Sequence, residues 1–167
     1  LPDKALLLTF DDGKKDVYTR VFPLLKLFRF PVVVALTGHW LNVPDGGMVD
    51  YDGVPILRSE FVSWAEVREM QRSGLVEIAS HSYDLHRGVL ANPQGNTQPA
   101  ATTRVYAGGV YETDDVYLAR LRADLRRNSE LIEQYTGVRP RAIVWPYGRS
   151  NRAAQELAVE LGMPVGM

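Results

Sequence analysis

The chain has 167 residues, and its 19 basic and 20 acidic side chains leave a formal net charge of −1. This length accommodates one core of ordinary size but not two domains, and the balanced charge offers no positive field for nucleic acid. With no cysteine and no apolar run near the ~20 residues that cross a bilayer, the sequence predicts no disulfide, thiolate site or membrane-spanning helix.

The chain begins with a strand, helix and strand pattern. Residues 5–10 form an apolar run that ends at Asp11, which predicts a strand buried on both faces and closed by a turn. Residues 17–28 carry apolar side chains at helical spacing, with Pro23 at a helix start or kink. Residues 31–37 repeat the apolar run and predict a second strand.

Glycine and proline next mark an irregular segment over residues 38–58. Ser63 and Glu66 then form the pattern of a capping box, which predicts a helix start, and Gly74 is placed to end that helix with a positive φ. Residues 75–80 predict the third strand.

Residues 81–112 show no periodicity, and a loop of this length in a small domain indicates a functional role. Thr113 caps a long helix that Gly137 follows. Residues 141–145 predict a fourth strand and end in a turn.

The last part of the chain repeats the alternation. Ser150 or Asn151 caps a helix that runs to Leu161, and a fifth strand begins at Met163. Strands that alternate with helices over the whole length predict an α/β domain with a parallel sheet, open or rolled into a barrel. In such folds ligands bind at the carboxyl ends of the strands.

Acidic and imidazole side chains fall at those strand ends. Asp11 and Asp12 follow the first strand, His81 follows the third, and His86 lies on the same loop. A carboxylate and two imidazoles are a common ligand set for a divalent metal such as Zn, Ni, Co or Fe(II). We therefore predict Asp12, His81 and His86 as metal ligands and Asp11 as the base that accepts a proton from water.

Residues after the fourth strand extend the predicted site. A backbone N–H in the turn around Tyr147 is placed to donate to a developing oxyanion, and Pro146 stiffens that turn. Trp145, Pro146 and Tyr83 are predicted to contact a sugar substrate, because pyranose faces stack on aromatic rings. Asp50, Asp52 and Glu112 are acidic loop residues that would favour a polymer that becomes cationic as it loses acetyl groups.

Three motifs resemble those of a known family. The TFDDG sequence at 9–13, the His-Ser and His pattern at 81–86 and the WPYG sequence at 145–148 resemble the successive motifs of polysaccharide deacetylases. These form the NodB-homology group of carbohydrate esterase family four. Residues 19–26 and 92–96 are further similar to the PgaB-type subgroup, which de-N-acetylates poly-β-1,6-N-acetyl-D-glucosamine.

The resemblance implies a distorted, incomplete (β/α) barrel over residues 1–167, with the active site at the carboxyl ends of the strands. It implies that Asp12, His81 and His86 bind one divalent metal ion. It also implies that Asp11 is the catalytic base and that the backbone N–H of Tyr147 helps to form the oxyanion hole. The implied reaction is hydrolysis of an acetamide to free amine and acetate. By the same resemblance the domain is part of a longer protein of the periplasm or outer-membrane cell surface. That protein would act on an exported biofilm exopolysaccharide, with export machinery as a partner.

Three departures from the family pattern stand out. The histidine spacing of five between positions 81 and 86 replaces the usual four, and Val144 stands where an arginine is common. The family also uses a further histidine as catalytic acid. His39 is the remaining histidine of this chain, whereas in the PgaB-type subgroup the acid precedes the first motif and would lie upstream of this chain.

Other functions remain open at the level of sequence. Two histidines and one carboxylate also bind iron in non-haem oxygenases, although the paired Asp11 and the βα order disfavour that class. A glycan-binding module without turnover would keep the same residues. Among deacetylases, chitin or peptidoglycan are alternative substrates.

Overall fold

Short strands alternate with helices along residues 5–167, which are the residues that this computed structural model describes. In chain order the strands are β1 (Thr9–Phe10), β2 (Val32–Leu36), β3 (Met48–Tyr51), β4 (Val54–Leu57), β5 (Val76–Ser80), β6 (Gly88–Leu90), β7 (Thr97–Pro99), β8 (Tyr106–Ala107), β9 (Val110–Tyr111), β10 (Ala142–Ile143) and β11 (Val165–Gly166). The helices are α1 (Phe22–Phe28), which follows a π-helical turn at Val17–Val21, α2 (Gly38–Leu41), α3 (Trp64–Arg72), α4 (Asp114–Thr136) and α5 (Arg152–Glu160). Within the described residues, no helix is both long and apolar enough to span a bilayer.

The central sheet has five strands in the order β1-β2-β5-β10-β11, and every neighbouring pair is parallel. This confirms the predicted α/β class with a parallel sheet. Since the carboxyl ends of parallel strands lie at one edge, the loops that follow β1, β5 and β10 meet there. The sheet therefore brings the three predicted motifs to a common rim.

The first strand is shorter than its apolar run predicts. Only Thr9–Phe10 pair with β2, and the side chains of Leu6 and Leu7 are exposed. The prediction that residues 5–10 are buried on both faces is therefore wrong, because β1 lies at an edge of the described sheet. By contrast, every residue of β2 is buried, as its continuous apolar run predicts.

The predicted helix starts are confirmed by their side-chain hydrogen bonds. The hydroxyl of Ser63 accepts from the backbone N–H of Glu66, whose carboxylate accepts from the Ser63 N–H, so the capping box is complete. At the start of α4, the Thr113 hydroxyl accepts the backbone N–H of Val116. Of the two predicted caps for α5, Asn151 is the one whose side chain accepts a helix N–H.

The two segments predicted as irregular contain regular structure. Residues 38–58 hold α2 and an antiparallel hairpin of β3 and β4, which turns at Asp52 and Gly53 with φ values of 52° and 84°. An Asp-Gly pair with two positive φ angles is the preferred two-residue hairpin turn. Residues 81–112 likewise contain the hairpins β6–β7 and β8–β9. The Asp-Gly signal was available in the sequence.

Helix α4 fixes the carboxyl ends of the two central strands through one buried amide. Nδ2 of Asn128 donates to the carbonyl of Leu36 at 3.0 Å and to Oγ of Ser80 at 2.7 Å. Leu36 ends β2 and Ser80 ends β5, so this contact holds the two strands together directly before the residues that line the rim.

A buried arginine anchors the base of the β3–β4 hairpin. The guanidinium of Arg58 donates to the carbonyls of Leu41, Phe61 and Val62 at 3.0 to 3.3 Å. Replacing Arg58 with methionine leaves these carbonyls unpaired, and we expect it to lower the free energy of unfolding by about 3 kcal/mol. Urea denaturation measures this effect, and the exposed Arg126→Met is the matched control. A loss below about 0.5 kcal/mol would contradict the anchoring role.

Candidate active site

The loops after β1 and β5 bring three side chains to one point. Oδ1 of Asp12 lies 3.4 Å from Nε2 of His81 and 3.5 Å from Nε2 of His86. One possible ligand atom from each of the three residues lies within 4.8 Å of the others. The structure thus brings together the carboxylate and the two imidazoles that the sequence predicts as a ligand set.

The ring of His81 is held in the orientation that metal binding requires. Its Nδ1 lies 2.8 Å from the backbone carbonyl of Val144, and the side chain is buried. Because a carbonyl can only accept, Nδ1 carries the hydrogen and the lone pair of Nε2 faces Asp12. Val144 therefore contributes to the site through its backbone.

One of the two oxygens of the Asp12 carboxylate has a hydrogen-bond partner among the described residues. Its Oδ2 accepts a hydrogen bond of 2.6 Å from the Tyr51 hydroxyl, whereas its buried Oδ1 has no hydrogen-bond partner among the described residues. Burial opposes the charge, but the neighbouring His81 imidazole and the Tyr51 hydroxyl outweigh it and lower the pKa of Asp12. A buried, ionised oxygen that faces two imidazole nitrogens fits a divalent cation.

The rim loops hold backbone conformations that side chains rarely adopt. Asp12, Ser82 and Tyr147 have φ values of 70°, 69° and 58°. Each such conformation costs on the order of 1 kcal/mol and persists only where the surroundings enforce it. The three residues come from the loops after β1, β5 and β10, so all three loops that build the site are constrained.

The adjacent carboxylates of the first motif point into different surroundings. Asp12 is half-buried against the histidines, whereas Asp11 is exposed at the rim. An exposed carboxylate beside the ligand set is open to water and to a substrate. The role of Asp11 as the base stays a prediction.

Tyr147 lies beside the ligand set with both its backbone and its ring. The ring centroids of Tyr147 and His86 are 4.5 Å apart, and 43% of Tyr147 is exposed. Its hydroxyl donates to Oδ1 of Asp52 at 2.5 Å. Burial and this hydrogen bond raise the pKa of Tyr147, so the hydroxyl stays protonated and remains a donor. The oxyanion role of its backbone N–H stays a prediction.

The aromatic rings predicted to face a sugar are covered. Trp145 is 4% exposed in the core, at the edge of a separate cleft of about 440 Å³ near β11, and Pro146 beside it is buried. Tyr83 is 6% exposed, with the guanidinium of Arg127 from α4 lying 3.8 Å above its ring. Trp145 and Tyr83 thus present little ring surface, and the contact of Trp145, Pro146 and Tyr83 with a sugar stays a prediction. Tyr147 is the exposed aromatic residue next to His86.

The β3–β4 hairpin supplies contacts that the sequence analysis missed. Tyr51 donates to Asp12, and Oδ1 of Asp52 lies 3.6 Å from Nδ1 of His86. A cleft of about 560 Å³ opens beside these residues, and its wall includes Trp40, Asp52, Asp84 and Arg87. The exposed His39 lines the same cleft and meets the ring of Tyr83 edge-on, at 5.8 Å between centroids.

A carboxylate on α4 holds the loop between the two histidines. Asp124 accepts the backbone N–H of Tyr83 at 2.8 Å and that of Asp84 at 2.7 Å, one on each oxygen. An amide in its place would offer one acceptor and turn its NH₂ group toward the second donor. The two oxygens of a carboxyl group therefore suit this position better than an amide does.

We expect Asp124 to give the fold a pH dependence. Burial raises the pKa of Asp124 to about 6, so the folded state holds this proton more tightly than the unfolded state does. Its contribution to the free energy of unfolding therefore falls by up to about 3 kcal/mol as the pH rises from 4 to 7. Urea denaturation at several pH values, compared with Asp124→Asn and the exposed Glu130→Gln, measures it. If the free energy of unfolding changed equally with pH in wild type and Asp124→Asn, the raised pKa of Asp124 would be contradicted.

Comparison with known proteins identifies the type of domain. A family model described as polysaccharide deacetylase matches residues 1–166. The poly-β-1,6-N-acetyl-D-glucosamine N-deacetylase of Escherichia coli K12 is 41% identical over 164 residues, covering 97% of this chain and 24% of that protein. The chain therefore spans about a quarter of the length of this curated relative.

Solved structures agree with this result. The deacetylase domain of BpsB from Bordetella bronchiseptica is 50% identical with a TM-score of 0.95, over 99% of this chain and 64% of that one. A de-N-acetylase from Aggregatibacter actinomycetemcomitans is 42% identical with a TM-score of 0.96, over 99% and 63% of the two chains. These matches confirm the predicted incomplete barrel, since the parallel sheet curls into a half-barrel of this type. The chain belongs to the polysaccharide deacetylase family.

Proposed function

We propose that this chain is the catalytic domain of a metal-dependent N-deacetylase that acts on poly-β-1,6-N-acetyl-D-glucosamine and releases acetate. The observation that carries the proposal is the buried Oδ1 of Asp12, which has no hydrogen-bond partner among residues 5–167 and faces the Nε2 atoms of His81 and His86 at 3.4 and 3.5 Å. The substrate is taken from the E. coli relative, which is 41% identical and named for this polymer.

The site residues offer groups for the first half of amide hydrolysis, the attack of water on the acetyl carbonyl. A divalent cation such as Zn, Ni, Co or Fe(II), held by Asp12, His81 and His86, would polarise the acetyl carbonyl and lower the pKa of water. Asp11, exposed beside this set, accepts the proton of the attacking water. The backbone N–H of Tyr147 donates to the oxygen that becomes negative.

The second half of the reaction requires a proton for the leaving amine. Water adds to the carbonyl carbon, the C–N bond breaks, and the products are acetate and a free amine. We place this general acid upstream of the first motif, in the longer protein. His39 lies instead against Tyr83, with the two ring centroids 5.8 Å apart.

By analogy with the relatives, we also propose further domains, a location and a partner for this enzyme. The chain covers 24% of the E. coli relative, which supports further domains in the same protein. An exported polymer as substrate would be consistent with a location in the periplasm or at the cell surface, and we propose export machinery as a partner. The acidic side chains of Asp50 and Asp52, which line the cleft, favour a product that becomes cationic as acetyl groups leave.

Acetate release tests the proposal. We expect the metal-loaded protein to release acetate from β-1,6-linked N-acetylglucosamine oligomers and to act less well on β-1,4-linked oligomers or peptidoglycan. A preference for β-1,4-linked substrates would move the assignment to a chitin or peptidoglycan deacetylase. Binding of β-1,6-linked oligomers without acetate release, by folded and metal-loaded protein that includes the upstream segment, would favour a glycan-binding module.

A further inference from the structure

The two histidines of the ligand set differ in what their outer nitrogen contacts. Nδ1 of His81 bonds to the Val144 carbonyl at 2.8 Å. Nδ1 of His86 is buried and has no hydrogen-bond partner within residues 5–167. The carboxylate of Asp52 lies 3.6 Å from this atom, slightly beyond hydrogen-bond distance. The Asp52 carboxylate therefore lies near Nδ1 of His86, in the place that the Val144 carbonyl takes beside Nδ1 of His81.

The chemistry of an imidazole ligand requires an acceptor at that place. A neutral imidazole that binds a cation through Nε2 carries its hydrogen on Nδ1. A buried N–H without an acceptor is costly, and a carboxylate there fixes the tautomer and makes the ligand nitrogen more basic. Asp52 is the charged group positioned to do this for His86.

The same carboxylate also fixes the neighbouring turn. Oδ1 of Asp52 accepts the Tyr147 hydroxyl at 2.5 Å, and the Tyr147 ring packs on that of His86. Asp52 therefore contacts both the second histidine and the turn after β10. Tyr51, the preceding residue, donates to Oδ2 of Asp12 at 2.6 Å.

The hairpin turn orients the side chains of Tyr51 and Asp52. Asp52 and Gly53 occupy the two turn positions with φ values of 52° and 84°, and Arg58 anchors the end of the hairpin to the carbonyls of Leu41 and Val62. Asparagine tolerates such a positive φ as well as aspartate does. The substitution Asp52→Asn therefore removes the charge and keeps the turn.

We propose that Asp52 is a positioning residue of the metal centre, which orients His86 through Nδ1 and ties it to the turn that carries Tyr147. The inference rests on the proposed metal-dependent function. Asp52 acts through His86 and Tyr147 and does not itself contact the cation or the reacting atoms.

Metal affinity of the purified chain tests this role. We expect Asp52→Asn to weaken Zn²⁺ or Co²⁺ binding by about 10- to 100-fold at unchanged stoichiometry, measured by calorimetry with a competing chelator. The visible spectrum of bound Co²⁺ is expected to change as well. Asp84→Asn is the matched control, because Asp84 lines the same cleft with the same charge and pairs with Arg87 at 3.3 Å. Its affinity is expected to stay within about twofold of wild type, since it does not touch the ligand set.

A second variant keeps the inference testable if Asp52→Asn lowers stability. Tyr147→Phe removes the hydroxyl that holds the carboxylate, so we expect a smaller loss of metal affinity and no further loss when it is combined with Asp52→Asn. Wild-type affinity in Asp52→Asn, equal losses in Asp52→Asn and Asp84→Asn, or additive losses would each overturn the inference. Absence of metal binding by the folded wild-type chain would instead overturn the proposed function.

Discussion

Replacing His81 with alanine is expected to weaken divalent metal binding by more than about 100-fold and to abolish acetate release. The variant removes Nε2, which lies 3.4 Å from Oδ1 of Asp12, and so leaves two of the three ligand groups. Removing a metal ligand weakens metal affinity by more than the 10- to 100-fold that is typical of removing a residue hydrogen-bonded to a ligand. Calorimetry with Zn²⁺ and an acetate assay measure the two effects.

His39→Ala is the matched control for this prediction. His39 is exposed and lies outside the ligand set, so its removal is expected to leave metal affinity within about twofold of wild type. Because His81 is buried, thermal denaturation without metal must show that the His81→Ala chain is folded. Unchanged metal affinity in folded His81→Ala would remove this residue from the metal site.

Replacing Asp11 with asparagine is expected to separate catalysis from metal binding. We predict that kcat falls by about 10²- to 10⁴-fold, the usual contribution of a general base, while metal affinity stays within about twofold. The physical reason is that Asp11 is exposed and lies outside the ligand set, whereas Asp12 faces the two histidines. Single-substrate kinetics and calorimetry on the same preparation measure both quantities.

Asp16→Asn is the control for Asp11→Asn, because Asp16 is an exposed aspartate in the same part of the chain. Its kcat is expected to match wild type. If Asp11→Asn keeps the wild-type kcat, another group accepts the proton. A large loss of metal affinity would instead make Asp11 part of the metal site.

The ligand set was predictable because it depends on chain order more than on detailed packing. Asp12 and His81 follow strands that are recognisable as apolar runs, and parallel strands place their carboxyl ends at one edge. The helix caps at Ser63 and Thr113 were predictable for a similar reason, since each depends on a side chain three residues from its partner.

The contacts around the ligand set could not be predicted, since they join residues far apart in sequence. Asp52 and Tyr147 are 95 positions apart, and Asp124 lies 41 positions after Tyr83. Composition alone also gave no sign that α4 covers the ring of Tyr83. Trp145 and Tyr83 were predicted to contact the sugar because they are aromatic residues near the strand ends, but tertiary packing buries both rings.

Two local sequence patterns correspond to a different structure from the one predicted for them. The Asp52-Gly53 pair predicts a hairpin turn, yet glycine and proline nearby favoured an irregular segment over residues 38–58. The apolar run at residues 5–10 resembles that of β2, but its first residues lie beyond the paired strand at a sheet edge. Burial at such an edge depends on what lies beside it, which the run itself does not encode.

The measurement that tests the metal centre most directly is the metal content of the wild-type chain, by elemental mass spectrometry and calorimetry, alongside His86→Ala. We expect one tightly bound divalent ion per folded wild-type chain and its loss in the variant, because His86 supplies one of three candidate ligand groups. A folded wild-type chain that binds no ion, or a variant that binds the ion equally well, would contradict it.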